Sequence, residues 1–152
     1  MSNSRFLYVT YIRATPEKLW EALTKPEFTR DYWFGCWQDC TWKPGASWKL
    51  MFNDGRLGDA GKVLEIDPPR KLVLEWRNEF RAELQAEGYS RATFSIEAQN
   101  DTVKLTVAHE MDRPQSKFIE AVSNGWPAIL ASLKSLLETG KALERANTIP
   151  QK

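Results

Sequence analysis

The chain has 152 residues, 42% hydrophobic and 27% charged, with 21 lysines and arginines against 20 aspartates and glutamates. That is the balance of one ordinary globular domain, and it excludes a disordered chain, a collagen and a coiled coil. A net charge of +1 with no basic block offers no source for the phosphate contacts of nucleic-acid binding or for polybasic membrane attachment, and no stretch approaches the roughly 18 apolar residues of a membrane span.

In chain order, residues 5–13 form the first strand candidate, with Phe6-Leu7-Tyr8-Val9-Thr10-Tyr11-Ile12 aromatic and β-branched. No small-residue cleavage site follows this run, so it reads as a strand and not a signal peptide, and a cytoplasmic location is expected. Thr15 as cap, Pro16 at the first helical position and Glu17 near the positive end then open a short helix. Leu19, Trp20 and Leu23 give it an apolar stripe. Pro26 starts a second short helix that ends near Tyr32-Trp33-Phe34-Gly35.

A β-rich stretch follows, with strands expected over 36–43, 47–52, 61–66, 71–78, 89–98 and 102–111. Turn chemistry separates them at Pro44-Gly45, Asn53-Asp54-Gly55, Asp67-Pro68-Pro69 and Asn100-Asp101, and such short links favour antiparallel neighbours. A longer link, 79–88, carries Phe80 and Leu84 and is placed over one end of the sheet as a gate. The last element is a helix over 115–139, striped by Phe118, Val122, Trp126, Ile129, Leu130, Leu133 and Leu137 at steps of three and four. Pro127 removes a backbone bond and kinks it. The stripe keeps its register across the proline, so one kinked helix is expected. Gly140 ends it, and the tail 141–152 is expected to fray. No internal repeat or domain boundary is present, so residues 1–152 are read as one domain with a core over about 5–140.

The pattern predicts an α+β fold: a seven-stranded curved antiparallel sheet around a long kinked C-terminal helix, with two short helices after the first strand. Strand alternation gives the inward rows as Trp48, Leu50 and Phe52; Leu72, Leu74 and Trp76; Ala92, Phe94 and Ile96; and Val103, Leu105, Val107, His109 and Met111. The concave face is thus aromatic with one titratable group, His109. That histidine reads as a buried core residue, as a polar contact for a ligand, or as a general base. A concave aromatic surface with few polar groups is the usual form of a small-molecule site, although seven tryptophans also suffice to fill a core.

Other signals are weak. Cys36 and Cys40 would lie about 13 Å apart on a strand, too far for a disulfide. With a single histidine in the chain they make no zinc set, and they are expected to be buried and reduced. No metal or cofactor is predicted. The stretch Gly55-Arg56-Leu57-Gly58-Asp59-Ala60-Gly61 lacks the spacing of a phosphate cradle and leads into a strand, so it reads as a hairpin loop. Glu65 and Asp67 flank Pro68-Pro69 and read as solvated.

Three segments carry a resemblance. They are Val63-Leu64-Glu65-Ile66-Asp67-Pro68-Pro69-Arg70-Lys71-Leu72-Val73 followed by Trp76, Ser90-Arg91-Ala92-Thr93-Phe94 followed by residues 103–109, and Asn124-Gly125-Trp126-Pro127 leading into Leu130, Leu133 and Leu137. In this order they resemble the family of the activator of the heat-shock-protein-90 ATPase, within the START-like, helix-grip superfamily also called SRPBCC. The resemblance runs from about Tyr8 to Leu143 and implies the same fold. Members of that superfamily hold hydrophobic ligands between sheet and helix, act as polyketide cyclases or related enzymes, or serve as co-chaperones. The namesake activator carries a separate N-terminal chaperone-binding domain, and no such segment is expected before Arg5.

Three functions are therefore carried forward. The first is binding of a small hydrophobic or aromatic molecule by Trp48, Phe52, Trp76, Phe94, His109, Trp126 and Leu130. The second is a cyclase- or hydrolase-like enzyme that uses His109. The third is a co-chaperone-like interaction through an exposed patch of Tyr32, Trp33, Phe34 and Trp37. The expected partners are a small hydrophobic molecule and, less directly, a chaperone, with no nucleic acid or membrane, in a monomer or homodimer.

Overall fold

The structure is a computed structural model that describes residues 3–144. Its first strand, β1 (Ser4–Ile12), leads into two helices, α1 (Pro16–Thr24) and α2 (Pro26–Tyr32). Thr15 caps α1 as its sequence position predicts: the side-chain oxygen accepts from the Lys18 N–H at 3.1 Å. Four strands follow: β2 (Trp37–Cys40), β3 (Ser47–Met51), β4 (Leu57–Asp67) and β5 (Lys71–Asn78). A single-turn helix, α3 (Ala82–Gln85), precedes β6 (Ser90–Gln99) and β7 (Thr102–Met111), and α4 (Lys117–Thr139) closes the fold.

The strands form one antiparallel sheet of seven in the order β1-β7-β6-β5-β4-β3-β2. The return of β7 beside β1 makes β1 one edge, while the short β2 makes the other. The sheet curves around α4 in the helix-grip manner. All four expected inward rows are buried, as are Phe118, Val122, Trp126, Ile129, Leu130 and Leu133 on α4. Apolar burial between the two surfaces holds the helix in the grip, at about 25 cal/mol per Å² removed from water. The helix runs unbroken through Pro127 to Gly140, whose φ of 86° is the left-handed conformation a helix stop requires.

Several expectations are corrected. Residues 57–61 belong to β4 and not to a hairpin loop; the turn is confined to 53–56. The glycines there serve the sheet itself. Gly61 pairs with Trp48 on one side and Trp76 on the other. A Cβ at Gly61 would lie 1.7 Å from the Glu75 carbonyl oxygen, so only glycine permits this approach. With no side chain between them, the Trp48 and Trp76 rings meet at 4.4 Å. Cys36 and Cys40 form no disulfide and are half-buried, not buried. Burial pushes the Cys40 thiol upward, the Trp42 N–H draws it down, and Asp39 raises it.

The start of the tail also differs from expectation. The Lys141 carbonyl accepts from the Ser135 hydroxyl at 2.7 Å and the Leu143 N–H donates to Ser132 Oγ at 3.1 Å, which tie 141–143 back to α4. Residues 145–152 lie outside the described residues. No helix among the described residues is long and apolar enough to cross a membrane.

Candidate functional site

His109 lies at the centre of the concave face on β7 and is fully buried. Its Nδ1 is 3.1 Å from the Trp126 indole nitrogen on α4, which can only donate. Its Nε2 is 2.8 Å from Ser90 Oγ on β6. The Ser90 hydroxyl spends its own proton on the Trp76 carbonyl at 2.8 Å. These partners assign the tautomer: Nε2 carries the hydrogen, and the Nδ1 lone pair receives the indole N–H. Both nitrogens of a neutral imidazole are therefore satisfied within the protein. The chain of bonds from Trp126 through His109 and Ser90 to Trp76 sews the helix to two strands.

A second ionisable group faces inward, which corrects the expectation of one. Asp59 is buried on β4, two residues from Gly61 on the same face, and its Oδ2 accepts from the Trp76 indole at 2.8 Å. Gln38 on β2 plays a similar part: it accepts from the Trp48 indole at 2.9 Å and donates to the Leu23 carbonyl at 2.6 Å. The indoles of Trp48, Trp76 and Trp126 are thus each paired.

Trp33 is different. It sits at the end of α2, where Phe34 and Gly35 turn the chain through positive φ angles of 54° and 93°. Its ring lies between the sheet and the helix, 6.2 Å from Trp76 and 5.5 Å from Trp126. Trp33 and its neighbour Tyr32 are buried, which removes them from the exposed patch expected of an interaction surface. Neither the Trp33 indole N–H nor the Tyr32 hydroxyl has a hydrogen-bond partner. Burial alone drives the Tyr32 hydroxyl above its ordinary pKa, so it stays a neutral donor. Leaving a buried polar group unpaired costs about 1–3 kcal/mol.

Trp33, Trp76, Val122, Gly125, Trp126 and Ile129 line a narrow, half-open cleft of about 190 Å³. The aromatic rings fill the grip. Gly125 opens one side of it, since a Cβ built there would meet no atom within 4 Å. Pro127, two residues on, has no N–H to offer the Ser123 carbonyl.

Of the seven residues expected at the site, six gather here. Trp48 stacks toward Trp76, and Trp76 reaches both His109 at 5.1 Å and Trp126 at 5.7 Å. Phe94 meets Trp126 edge-on at 5.7 Å, and Leu130 lies in the same contiguous core. Phe52 does not join them: it is buried against Phe80 at 5.1 Å, outside that core. Leu84, expected in a gate, is buried within the core on α3. Trp33, Tyr32, Ser90 and Asp59 were not anticipated as site residues. The one sequence feature that marks Trp33 is its place at a helix end just before Phe34-Gly35. Among the described residues no cluster of three or more His, Cys, Asp or Glu side chains has the makings of a metal site.

Comparison with known proteins gives a consistent result. The family described as activator of Hsp90 ATPase homolog 1-like protein matches residues 13–138. Among solved structures, protein MLL2253 from Mesorhizobium loti is similar with a TM-score of 0.76 at 22% identity, over 89% of this chain and 97% of that one. The Aha1 dimer from Colwellia psychrerythraea is similar with a TM-score of 0.72 at 23% identity, over 91% and 99% of the two chains. An HSP90 activator from Plasmodium falciparum, PFC0360w, is similar with a TM-score of 0.65 at 23% identity, over 80% and 86%. At such identities the likeness establishes the fold alone. No curated protein matches the chain.

Proposed function

The chain belongs to the activator of Hsp90 ATPase homolog 1-like family, with its START-like, helix-grip fold, and from that premise we propose that it binds a small hydrophobic or aromatic molecule in the seam between sheet and C-terminal helix. The observation that carries this reading is the pair of buried, unpartnered donors, the Trp33 indole N–H and the Tyr32 hydroxyl, beside a core whose other indoles at the site are paired. A ligand that presents an oxygen acceptor on a planar apolar body satisfies a donor that the protein leaves unmet. Trp33 occupies that space in the structure. Binding swings it outward about Phe34 and Gly35, which exposes Trp76, Trp126 and Phe94 as apolar walls. In this reading His109 positions Trp126, and the ligand's polar contact comes from α2.

The unbridged cysteines Cys36 and Cys40 suit a reducing, cytoplasmic setting. An enzymatic role through His109 would first require breaking the bond that occupies its lone pair. A co-chaperone role draws on the family's name and on the Plasmodium falciparum neighbour; it predicts that this chain raises the ATPase rate of a heat-shock-protein-90 chaperone in a titration. The ligand reading is tested by native mass spectrometry, followed by the same sample denatured. An added mass that disappears on denaturation is expected. A clean apo mass, with no saturable change in tryptophan fluorescence on adding 1-naphthol, would overturn it.

A further inference from the structure

The two edges of the sheet are unlike. β2 is only four residues long, Trp37–Cys40, and carries Asp39, which is how exposed edges are ordinarily kept from pairing. β1 has nine residues, all in unbroken register with β7, with no proline or bulge and a single charged residue, Arg5, near its start. Its convex side exposes Leu7, Val9 and Tyr11, at 53%, 42% and 48%.

The backbone on the free side of β1 divides in two. The Lys134 ammonium donates to the Tyr11 carbonyl, and the Arg13 N–H donates to Glu138 Oε2 at 2.8 Å, so α4 covers the strand's C-terminal end. In an antiparallel ladder alternate residues point their N–H and C=O away from the partner strand. The orientation of Tyr11 therefore assigns the outward groups to Arg5, Leu7 and Val9. Among the described residues, no side chain bonds these groups as Lys134 and Glu138 bond Tyr11 and Arg13.

We propose that a second copy of this chain pairs with that uncovered stretch, β1 against β1, antiparallel, with the two-fold axis at Leu7. This register opposes Leu7 to Leu7 and Arg5 to Val9, and it uses the three uncovered residues and no others. Moving the axis to Tyr8 would oppose Arg5 to Tyr11, whose carbonyl Lys134 already holds. Moving it to Val9 would oppose Arg5 to Arg13, like charges that repel across a strand pair. On the concave side the same register sets Phe6 against Tyr8 of the second copy. Within one chain these two rings already stack at 6.2 Å, so the pairing continues an aromatic row. The two sheets become one continuous sheet, and the exposed edge disappears.

Sedimentation equilibrium from micromolar to millimolar protein is expected to give twice the 17.5 kDa chain mass. Leu7→Lys, on the exposed face, is expected to return the mass to one chain without change in the far-ultraviolet circular dichroism spectrum. Register is read in a Cys36→Ser, Cys40→Ser background. There Leu7→Cys should form an intermolecular disulfide on mild oxidation. Val9→Cys should not, because its own copies sit about 13 Å apart, beyond the roughly 7 Å a disulfide spans. A chain that stays monomeric throughout, a dimer that survives Leu7→Lys, or crosslinking through Val9→Cys and not Leu7→Cys would each overturn the proposal. If Leu7→Lys fails to fold, the two cysteine variants decide alone.

Discussion

His109 holds its place through chemistry rather than shape. Both ring nitrogens are used, one to receive Trp126 and one to reach Ser90, so the residue fastens α4 to the sheet. Ser90→Ala would leave the imidazole N–H unmet in a dry core. The expected loss is about 1–3 kcal/mol of stability in urea unfolding, and a loss below about 0.5 kcal/mol would contradict the network. Sequence periodicity placed His109 inward because Val103, Leu105 and Val107 share its face, and the structure agrees. It could not show Ser90 or Trp126 as partners, since those contacts join residues 19 and 17 positions away. Gly61 and Asp59 were hidden for another reason. A glycine-dense segment reads as a turn, whereas here glycine is what lets β4 pass between two tryptophans.

At the scale of elements, the start of α4 shows how loops secure helices. Ser116 caps it by accepting from the Ile119 N–H at 3.0 Å. Glu87, in the link after α3, adds a carboxylate from outside: it accepts from the Ser116 hydroxyl at 2.6 Å and from the N–H groups of Lys117 and Phe118 at 2.9 and 3.2 Å. Burial pushes the Glu87 carboxyl up, but these three donors together outweigh it and hold it below the ordinary glutamate range. A depressed carboxylate contributes stability that is fully present above its unfolded pKa of about 4.3. That contribution is lost as pH falls through the lower folded value. Glu87→Gln should therefore cost about 1 kcal/mol at pH 7, and the difference from the parent chain should shrink below pH 4.3 or so. Thermal melts from pH 7 to pH 3 check this; a constant difference across that range would refute it. The helix itself was legible from its apolar stripe and from Gly140. Its cap was not, because Glu87 lies 29 residues before Ser116.

For the whole molecule, the order of strands and helices was legible because turn residues and alternation agreed along nearly the entire chain. Whether the grip is open was not. Volume depends on how rings from distant elements meet, and here Trp33, Trp76 and Trp126 meet closely enough to leave only narrow interstices. The expected interaction patch failed for the same reason, since Tyr32 and Trp33 fold inward to close the seam. Under the proposed function this narrow seam, with its unmet donors, must move to bind, and occupancy should be visible at the indole that moves. The most direct test is a proton–nitrogen correlation spectrum of the indole N–H groups during titration with 1-naphthol, assigned by single Trp→Phe variants. Saturable shifts are expected at Trp33, followed by Trp126, with the Trp48 resonance least affected. An unmoved Trp33 resonance at saturating probe would contradict the proposed function.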